Sequence, residues 1–458
     1  MKHTIQYPEG NVLLRNLSKN YPIISHGKDV YLFDQSGKKY FDASGGALVC
    51  NLGHGNEELA HAVYEQMRKV AYVNGMQFTS SVMEEAASLL AAKAAPLGLN
   101  KVLLLASGSE AVEAAIKFAR QLWVDRGFPD KYKLISRTPG YHGNTLYALS
   151  ASGRPHYKKL YGPLISPVLS VTTPYGYRSP VVNSSVPEEI LREYHALGAE
   201  YYARELEDLI AKEGAGSISA FIFETVSGSS TGAWVPPLAY FERITAICKK
   251  NNILLIADEV MCGAGRTGRF FAAEHFDLKP DIAVLGKGIN AGLMPVAAVL
   301  VKESDVDTMK KTSGAYVHAQ TYMQSPSMGA TALAVLKYFD RHQVLAHAAR
   351  VTPSWLNALQ TEIAPLSMVG SVTGIGSMAG VEFVEDKSTK KPFPIAKKIA
   401  QRFVAHAQDQ GLIVWPNYGQ ADGTNGDLII LGPSLQMTES QAQECVALLK
   451  HSIETFQR

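Results

Sequence analysis

Two residues near the middle of the chain have the types and the surroundings to do chemistry. Ile253-Leu254-Leu255-Ile256-Ala257 is a short apolar run of the kind that forms a strand buried on both faces, and it stops at Asp258. A second run, Ile282-Ala283-Val284-Leu285, follows Pro280-Asp281 and ends at Gly286-Lys287-Gly288. A carboxylate and an amine therefore stand just past successive strand ends, which is where open α/β sheets gather their ligand sites. An Asp in such a place more often caps a turn, and most lysines are solvated surface charges. Lys287, however, has apolar sequence before it and a glycine on each flank, an unusual setting for a solvated lysine.

An amine able to form a Schiff base, beside a carboxylate able to keep a pyridine nitrogen protonated, is the pair that pyridoxal 5'-phosphate requires. Two other motifs share the stretch. Leu254-Leu255-Ile256-Ala257-Asp258-Glu259 has the form of a Walker B strand, but no Gly-Lys pair in the chain belongs to a G-x-x-x-x-G-K-[ST] loop, which argues against an ATPase. Gly263-Ala264-Gly265-Arg266-Thr267-Gly268 matches G-x-G-x-x-G, yet Asp258 to Cys262 separate it from the strand and no acid ends a following strand at the expected distance. It reads as a glycine turn, as does Gly374-Ile375-Gly376, which leads into a strand rather than a helix.

Leu255-Ile256-Ala257-Asp258-Glu259-Val260, Gly263-Ala264-Gly265-Arg266-Thr267-Gly268, Pro280-Asp281-Ile282 and Gly286-Lys287-Gly288, in that order, resemble the signature of the class III pyridoxal-phosphate aminotransferases. The resemblance runs from about Tyr31-Leu32-Phe33-Asp34 to the closing helix. It implies an α/β chain of fold type I, with a mostly parallel central sheet in a large domain and a smaller α+β domain. It also implies a homodimer and transamination in two half-reactions. Lys287 would then carry the cofactor and move the proton, Asp258 would keep the pyridinium charged, and Val260 would pack under the ring opposite Tyr141.

The elements that must position these groups can be read around them. Lys101-Val102-Leu103-Leu104-Leu105-Ala106 predicts a buried strand, and Ala111, Val112, Ala115, Ile116, Ala119, Leu122 and Trp123 fall at helical spacing just after it. A helix beginning within Ser107-Gly108-Ser109-Glu110 would aim unpartnered N–H groups at an anion. Gly108 would let a phosphate approach and Ser109 would bond it; a capping box from Ser107 to Glu110 explains the same residues without a ligand. Leu134-Ile135-Ser136 feeds Gly140-Tyr141-His142-Gly143, where Tyr141 matches the stacking aromatic of the resemblance and His142 reads as a structural partner. Ser219-Ala220-Phe221-Ile222-Phe223 ends at Glu224, which by the resemblance lines the pocket and otherwise caps a turn. Strand, helix, strand, helix in this order requires a mostly parallel sheet.

Helices are predicted from about Glu57 to Val70, Val82 to Ala95, near 395–410 and near 438–457, with Thr438 and Gln441 as a capping box. Tyr31 to Asp42 reads as a hairpin around Gln35-Ser36-Gly37, and Leu160 to Val186 as a long irregular loop. The expected division is 1–50 joining the small domain, 51–325 as the large cofactor-binding domain and 326–458 as the small domain. Thr321 aligns with a threonine that in relatives reaches the phosphate of the neighbouring subunit. Ala319, Gln324 and Ser325 depart from that pattern.

Composition excludes other classes. The 458 residues carry 44 basic and 42 acidic side chains, net +2, with no basic run to bind nucleic acid or anionic membrane. The four cysteines, Cys50, Cys248, Cys262 and Cys445, form no C-x-x-C, so neither a metal site nor a disulfide framework is expected. With no apolar segment of signal-peptide or spanning length, a soluble cytoplasmic protein is expected.

The expected reaction is transfer of an amino group from an amine or ω-amino acid to a small keto acid such as pyruvate. An aminomutase or decarboxylase on the same fold is the alternative, and a nicotinamide dehydrogenase a more distant one. The substrate end departs from the resemblance. Ile430 and Trp415 stand where relatives place arginines that hold a carboxylate, and Leu48 where amine transaminases often carry Trp. The pocket is therefore expected to be widened near Leu48 and walled by Trp415. Arg154 and Arg178 are the cations left to receive a carboxylate.

Overall fold

The computed structural model describes residues 3–179 and 188–457 and is built around a seven-stranded sheet. Across that sheet the strands are Lys101–Leu105, Ala297–Val301, Ile282–Leu285, Leu254–Asp258, Ile218–Glu224, Lys133–Thr138 and Leu169–Thr172. Ala297–Val301 is antiparallel to both neighbours and every other adjacent pair is parallel. The mostly parallel sheet expected from the strand and helix order is thus present.

A parallel sheet is covered by helices on both faces, so its strands must be apolar at consecutive positions. Ala220, Ile222, Leu254 and Ile256 pack on one side with Ala111, Ala115 and Ala119 of the helix Gly108–Asp125. Phe221, Phe223, Leu255 and Ala257 pack on the other with Tyr240, Phe241 and Ile244 of the helix Leu238–Lys250. Burial of each large side chain of this kind is worth about 1.5–3 kcal/mol. The continuous apolar runs that marked the strands are a direct consequence.

Two four-stranded sheets and a two-stranded antiparallel pair, Thr4–Ile5 with Tyr21–Pro22, complete the sheets among the described residues. One four-stranded sheet is antiparallel and contains Val369–Ile375, Met378–Phe383, Asp427–Leu431 and Trp415–Tyr418. In the other, the hairpin Tyr31–Asp34 and Lys39–Asp42 lies between Ile24–Lys28 and Leu412–Ile413. The parallel pairing of Leu412 with Phe41 ties the amino-terminal strands to the carboxyl-terminal part of the chain. Phe41, Val381, Phe383 and Ile429 share a core there with Phe403 and Leu449 from the helices Ile399–Asp409 and Glu439–Thr455.

The helix signals hold to within a residue or a few at each end. Glu57–Lys69 starts at Asn56, whose side chain accepts from the Leu59 N–H, and Ser81–Ala94 is followed by a turn that Gly98 closes at φ 75°. Thr438 and Gln441 form the expected capping box. The irregular loop expected over Leu160 to Val186 needs correction. Leu169–Thr172 within it is a strand, because it pairs with Ile135 to Thr138 at the sheet edge; residues 180–186 of that segment lie outside the described residues. The helix Glu188–Glu213 carried no periodic signal strong enough to be expected. Among the described residues, no helix is long and apolar enough to cross a membrane.

Candidate active site

Five parallel strands deliver the site, each at its carboxyl end. Lys101–Leu105 leads to Gly108 and Ser109, Lys133–Thr138 to Tyr141 and His142, Ile218–Glu224 ends at Glu224, Leu254–Asp258 ends at Asp258, and Ile282–Leu285 leads to Lys287. All seven, with Val260, Met261, Val226, Ser107, Gly143 and Ser229, line one cavity of about 160 Å³. A larger cavity of about 260 Å³, lined by Val102, Phe118, Val299 and Tyr316, is nearly all apolar, has no carboxylate in its wall, and lies away from these strand ends.

Asp258 and Glu259 are adjacent and both buried, yet strand alternation sends them opposite ways. Glu259 accepts from the N–H groups of Ala272 and Ala273 at 2.7 and 2.8 Å, and burial pushes its carboxyl up to about 7. It is a structural acid. Asp258 instead lines the cavity. Its Oδ2 lies 2.7 Å from His142 Nδ1, and its Oδ1 accepts the Val260 N–H at 3.0 Å.

Lys287 has left-handed backbone, φ 45°, and points into the cavity with no ion pair among the described residues. Desolvation by the surrounding protein pulls its ammonium down to about 8, although the charges of Asp258 and Glu224 oppose the shift. A lysine in this state is a nucleophile and a base near neutral pH.

At the other end of the cavity the helix Gly108–Asp125 begins. Ser107 caps it by accepting from the Glu110 N–H, so the cap exists, but the remaining first-turn N–H groups still face the cavity end. Ser109 Oγ accepts from the Asn144 N–H at 3.0 Å, which leaves its hydroxyl proton to donate. A Cβ on Gly108 would stand 2.8 Å from Val260 Cγ1, and one on Gly143 would stand 2.6 Å from Ser109 Oγ. The space is therefore reserved by glycines.

Glu224 serves both readings made of it. Its Oε1 accepts from the Gly228 N–H at 3.0 Å and its Oε2 from Ser230 Oγ at 2.6 Å, so it fixes the following loop while facing the cavity. Tyr141 and Val260 line the cavity together, as stacking on two faces of a ring requires.

Other expected residues are not brought together. Leu48 does not wall the cavity: it is fully buried, packed against Gly432 at the left-handed φ of 63° that ends its glycine turn. Trp415 pairs with Ile430 in the small antiparallel sheet and packs on the main core, outside the cavity wall. Arg178 is consumed by Glu382, to which its Nε donates at 2.6 Å. Thr321 is exposed and does not reach the cavity of its own chain. Val226, Ser229 and Met261 were missed, since nothing in a loop valine, a small-residue loop or a methionine marks a cavity wall.

The residues fit pyridoxal 5'-phosphate: an amine without an ion-pair partner, a carboxylate held by a histidine, and a glycine-reserved helix start for a phosphate. Comparison with known proteins agrees. The model of the class III aminotransferase family matches residues 15–453, and the chain belongs to that family. It is a pyridoxal-phosphate-dependent aminotransferase. It is 36% identical over 442 residues to the uncharacterized aminotransferase YodT of Bacillus subtilis, covering 96% of this chain and 97% of that one. It is 31% identical to a putrescine–pyruvate aminotransferase of Pseudomonas aeruginosa, covering 95% and 91%. Among solved structures, a PLP-bound amine transaminase from an uncultivated Pseudomonas species superimposes with a TM-score of 0.88 at 31% identity, covering 98% of both chains.

Proposed function

We propose that the enzyme moves an amino group from an amine or ω-amino donor to a small keto acid such as pyruvate. The observation that carries this reading is the pair Trp415 and Ile430. Neither is a cation, they face each other across two strands, and Ile430 is completely buried. Both lie outside the cavity wall, so neither position supplies a partner to a carboxylate in the site, and a carboxylate desolvated there without one costs several kcal/mol. A donor bearing no carboxylate at that end meets no such cost. The putrescine–pyruvate activity named for the Pseudomonas aeruginosa relative is of this type.

When bound, pyridoxal 5'-phosphate supplies the electron sink that lets a donor C–H be deprotonated. The rest falls to this chain. Lys287 would anchor the cofactor through its Nζ and, as the amine facing the cavity, would serve as the base and acid that moves the proton. Asp258, held by His142, keeps the pyridine nitrogen protonated. Gly108, Ser109 and the helix start would hold the phosphate, Tyr141 and Val260 would flank the ring, and Glu224 orders the loop beside the cavity.

The same reading makes the protein a homodimer. Met76 and Val317 are 83% and 71% exposed, and Phe78 and Tyr322 are also exposed. Tyr72 and Tyr322 meet edge-on at 5.8 Å, and Thr321, next to Tyr322, is exposed as well. A second copy covering these side chains would bring Thr321 to the neighbour's phosphate. The chain divides in this reading into a large domain over 51–325 and a small one formed by 1–50 with 326–458.

A donor screen tests the substrate. Simple amines and diamines should bleach the visible cofactor band faster than ornithine, acetylornithine or glutamate. The reverse order would refute the assignment.

A further inference from the structure

A keto-acid acceptor brings a carboxylate into the site even if the donor brings none, so the proposed reaction still needs a cation at the substrate end. The described arginines near the cavity are mostly occupied. Arg266 is buried and donates to the carbonyls of Leu48, Gly432 and Pro433, Arg137 donates to the Glu224 carbonyl, and Arg178 is held by Glu382.

Arg266 and Arg137 also pair with no carboxylate among the described residues, but they are tied to backbone carbonyls, whereas Arg154 is held by side chains of the cavity wall. Arg154 is 5% exposed, and its Nη2 donates to Ser229 Oγ at 2.8 Å. Its guanidinium lies over the Tyr141 ring at 5.1 Å and the Tyr157 ring at 5.5 Å. No carboxylate among the described residues pairs with it. A buried guanidinium held by neutral groups alone is poised for an anion, because its remaining donors form a planar fork that matches a carboxylate. Two of its three neighbours, Ser229 and Tyr141, are cavity wall residues, so Arg154 stands immediately behind one end of the cavity. A second cation, Arg15, is near enough for its charge to bear on Tyr141 and Tyr418, as does that of Arg154. The acids at this end of the cavity, Glu224 and Asp258, are bonded to Ser230 and His142 and form no ion pair with Arg154 among the described residues.

We propose that Arg154 is the carboxylate receptor of the site, held for that purpose by Ser229 and the rings of Tyr141 and Tyr157, and that it replaces the cations absent at Trp415 and Ile430. The inference rests on the transaminase reading and assigns the residue that selects a carboxylate-bearing acceptor over a neutral one. Ser229 is a positioning residue for the guanidinium.

The test uses the holoenzyme with pyruvate and, as an uncharged acceptor, butanal. Arg154→Gln should raise the pyruvate KM on the order of 10- to 100-fold, the range expected for losing charge-assisted hydrogen bonds, and change the butanal KM by less than about threefold. Ser229→Ala should raise the pyruvate KM a few-fold only. A reading independent of turnover is titration of the visible band with propionate and with propionamide. The wild type should bind the acid at least about tenfold more tightly than the amide, and Arg154→Gln should abolish that preference. Equal losses for pyruvate and butanal, or a preference for propionate that survives in Arg154→Gln, would overturn the assignment. If Arg154→Gln does not fold, Arg154→Lys keeps the charge without the fork and should show an intermediate, acid-specific loss; an unchanged pyruvate KM there would overturn it equally. Should the wild type transaminate no amine with pyruvate, the reaction assignment falls, while the propionate titration still decides the site.

Discussion

His142 Nδ1 lies 2.7 Å from Asp258 Oδ2, with both side chains almost wholly buried. The carboxylate's other oxygen is taken by the Val260 N–H, so two fixed donors set its plane. The histidine comes from the loop after one strand and the aspartate from the end of another, so the bond is a tertiary feature. In the proposed mechanism this bond would orient the acid towards the cofactor nitrogen.

Asp258→Asn is expected to retain cofactor but lose most of its rate, because an amide cannot hold a pyridinium proton electrostatically. His142→Ala should lose less, on the order of 10- to 100-fold, as for other partners that orient an active-site group. Single-turnover rates with a good amine donor measure both. An unchanged rate in Asp258→Asn would make the acid structural.

Lys287→Ala should abolish turnover and the visible band that borohydride removes, since no other amine lines the cavity. In the wild type the amine titrates near 8 because burial disfavours its charge. Only the neutral amine can attack the cofactor aldehyde, so the rate at which apoprotein regains the band should rise with pH and level off above about 8. A flat profile from pH 6.5 to 9.5 would contradict the lowered value.

These two residues were legible in the sequence because a buried parallel strand is a short apolar run, and a polar residue ending such a run must face the sheet's carboxyl edge. Gly108, Ser109 and Glu224 also stand at strand ends, but a cap explained them equally well, and Tyr141 was singled out only by the family resemblance. Leu48 and Trp415 did not, because their placement depends on packing between distant segments: Leu48 fits against Gly432, and Trp415 is set by its pairing with Ile430. Alignment to a motif gives a position in the chain, but whether that position faces a cavity is decided by such contacts. The strand Leu169–Thr172 was hidden for a related reason, since an edge strand of Leu, Ser, Val and Thr carries little apolar signal of its own.

The exposed apolar side chains Met76, Phe78, Val317 and Tyr322 predict self-association. The protein should sediment as a dimer or larger, and Thr321→Ala should weaken cofactor binding without changing the oligomeric state. Charged substitutions at Met76 and Phe78 should weaken both together. A monomer that holds full cofactor would exclude the shared phosphate site.

His54 Nε2 lies 2.9 Å from Asp42 Oδ2, and this bond, with help from Cys50, raises the imidazole to about 10. The folded protein therefore holds a proton that the unfolded chain releases near 6.5. The resulting stabilisation is fully present below pH 6.5 and is lost as pH rises towards 10. Thermal midpoints should fall across that window in the wild type. His54→Gln should have a lower midpoint at pH 6 and a flatter profile, and parallel profiles for the two proteins would show that the pair does not titrate there.

The last prediction concerns the space kept for the cofactor. Gly108 does not have a positive φ, so its backbone accepts alanine and any effect must come through space. The added methyl would stand 2.8 Å from Val260 Cγ1 and 3.2 Å from Cγ2. Val260 is β-branched and stiff at χ1, and a Cβ on Gly286 would approach it at 3.1 Å, so it has little room to turn away. Val260 lines the cavity, so a shift away from the new methyl carries it towards the place assigned to the cofactor ring. Gly108→Ala should thus leave the far-ultraviolet spectrum intact and weaken cofactor retention about tenfold or more, measured by dialysis against graded pyridoxal phosphate. Val260→Ala removes both γ carbons, so the double variant should bind better than Gly108→Ala alone. If Gly108→Ala retains cofactor as the wild type does, or if the double variant is the weaker of the two, steric reservation by Gly108 is not what shapes the site.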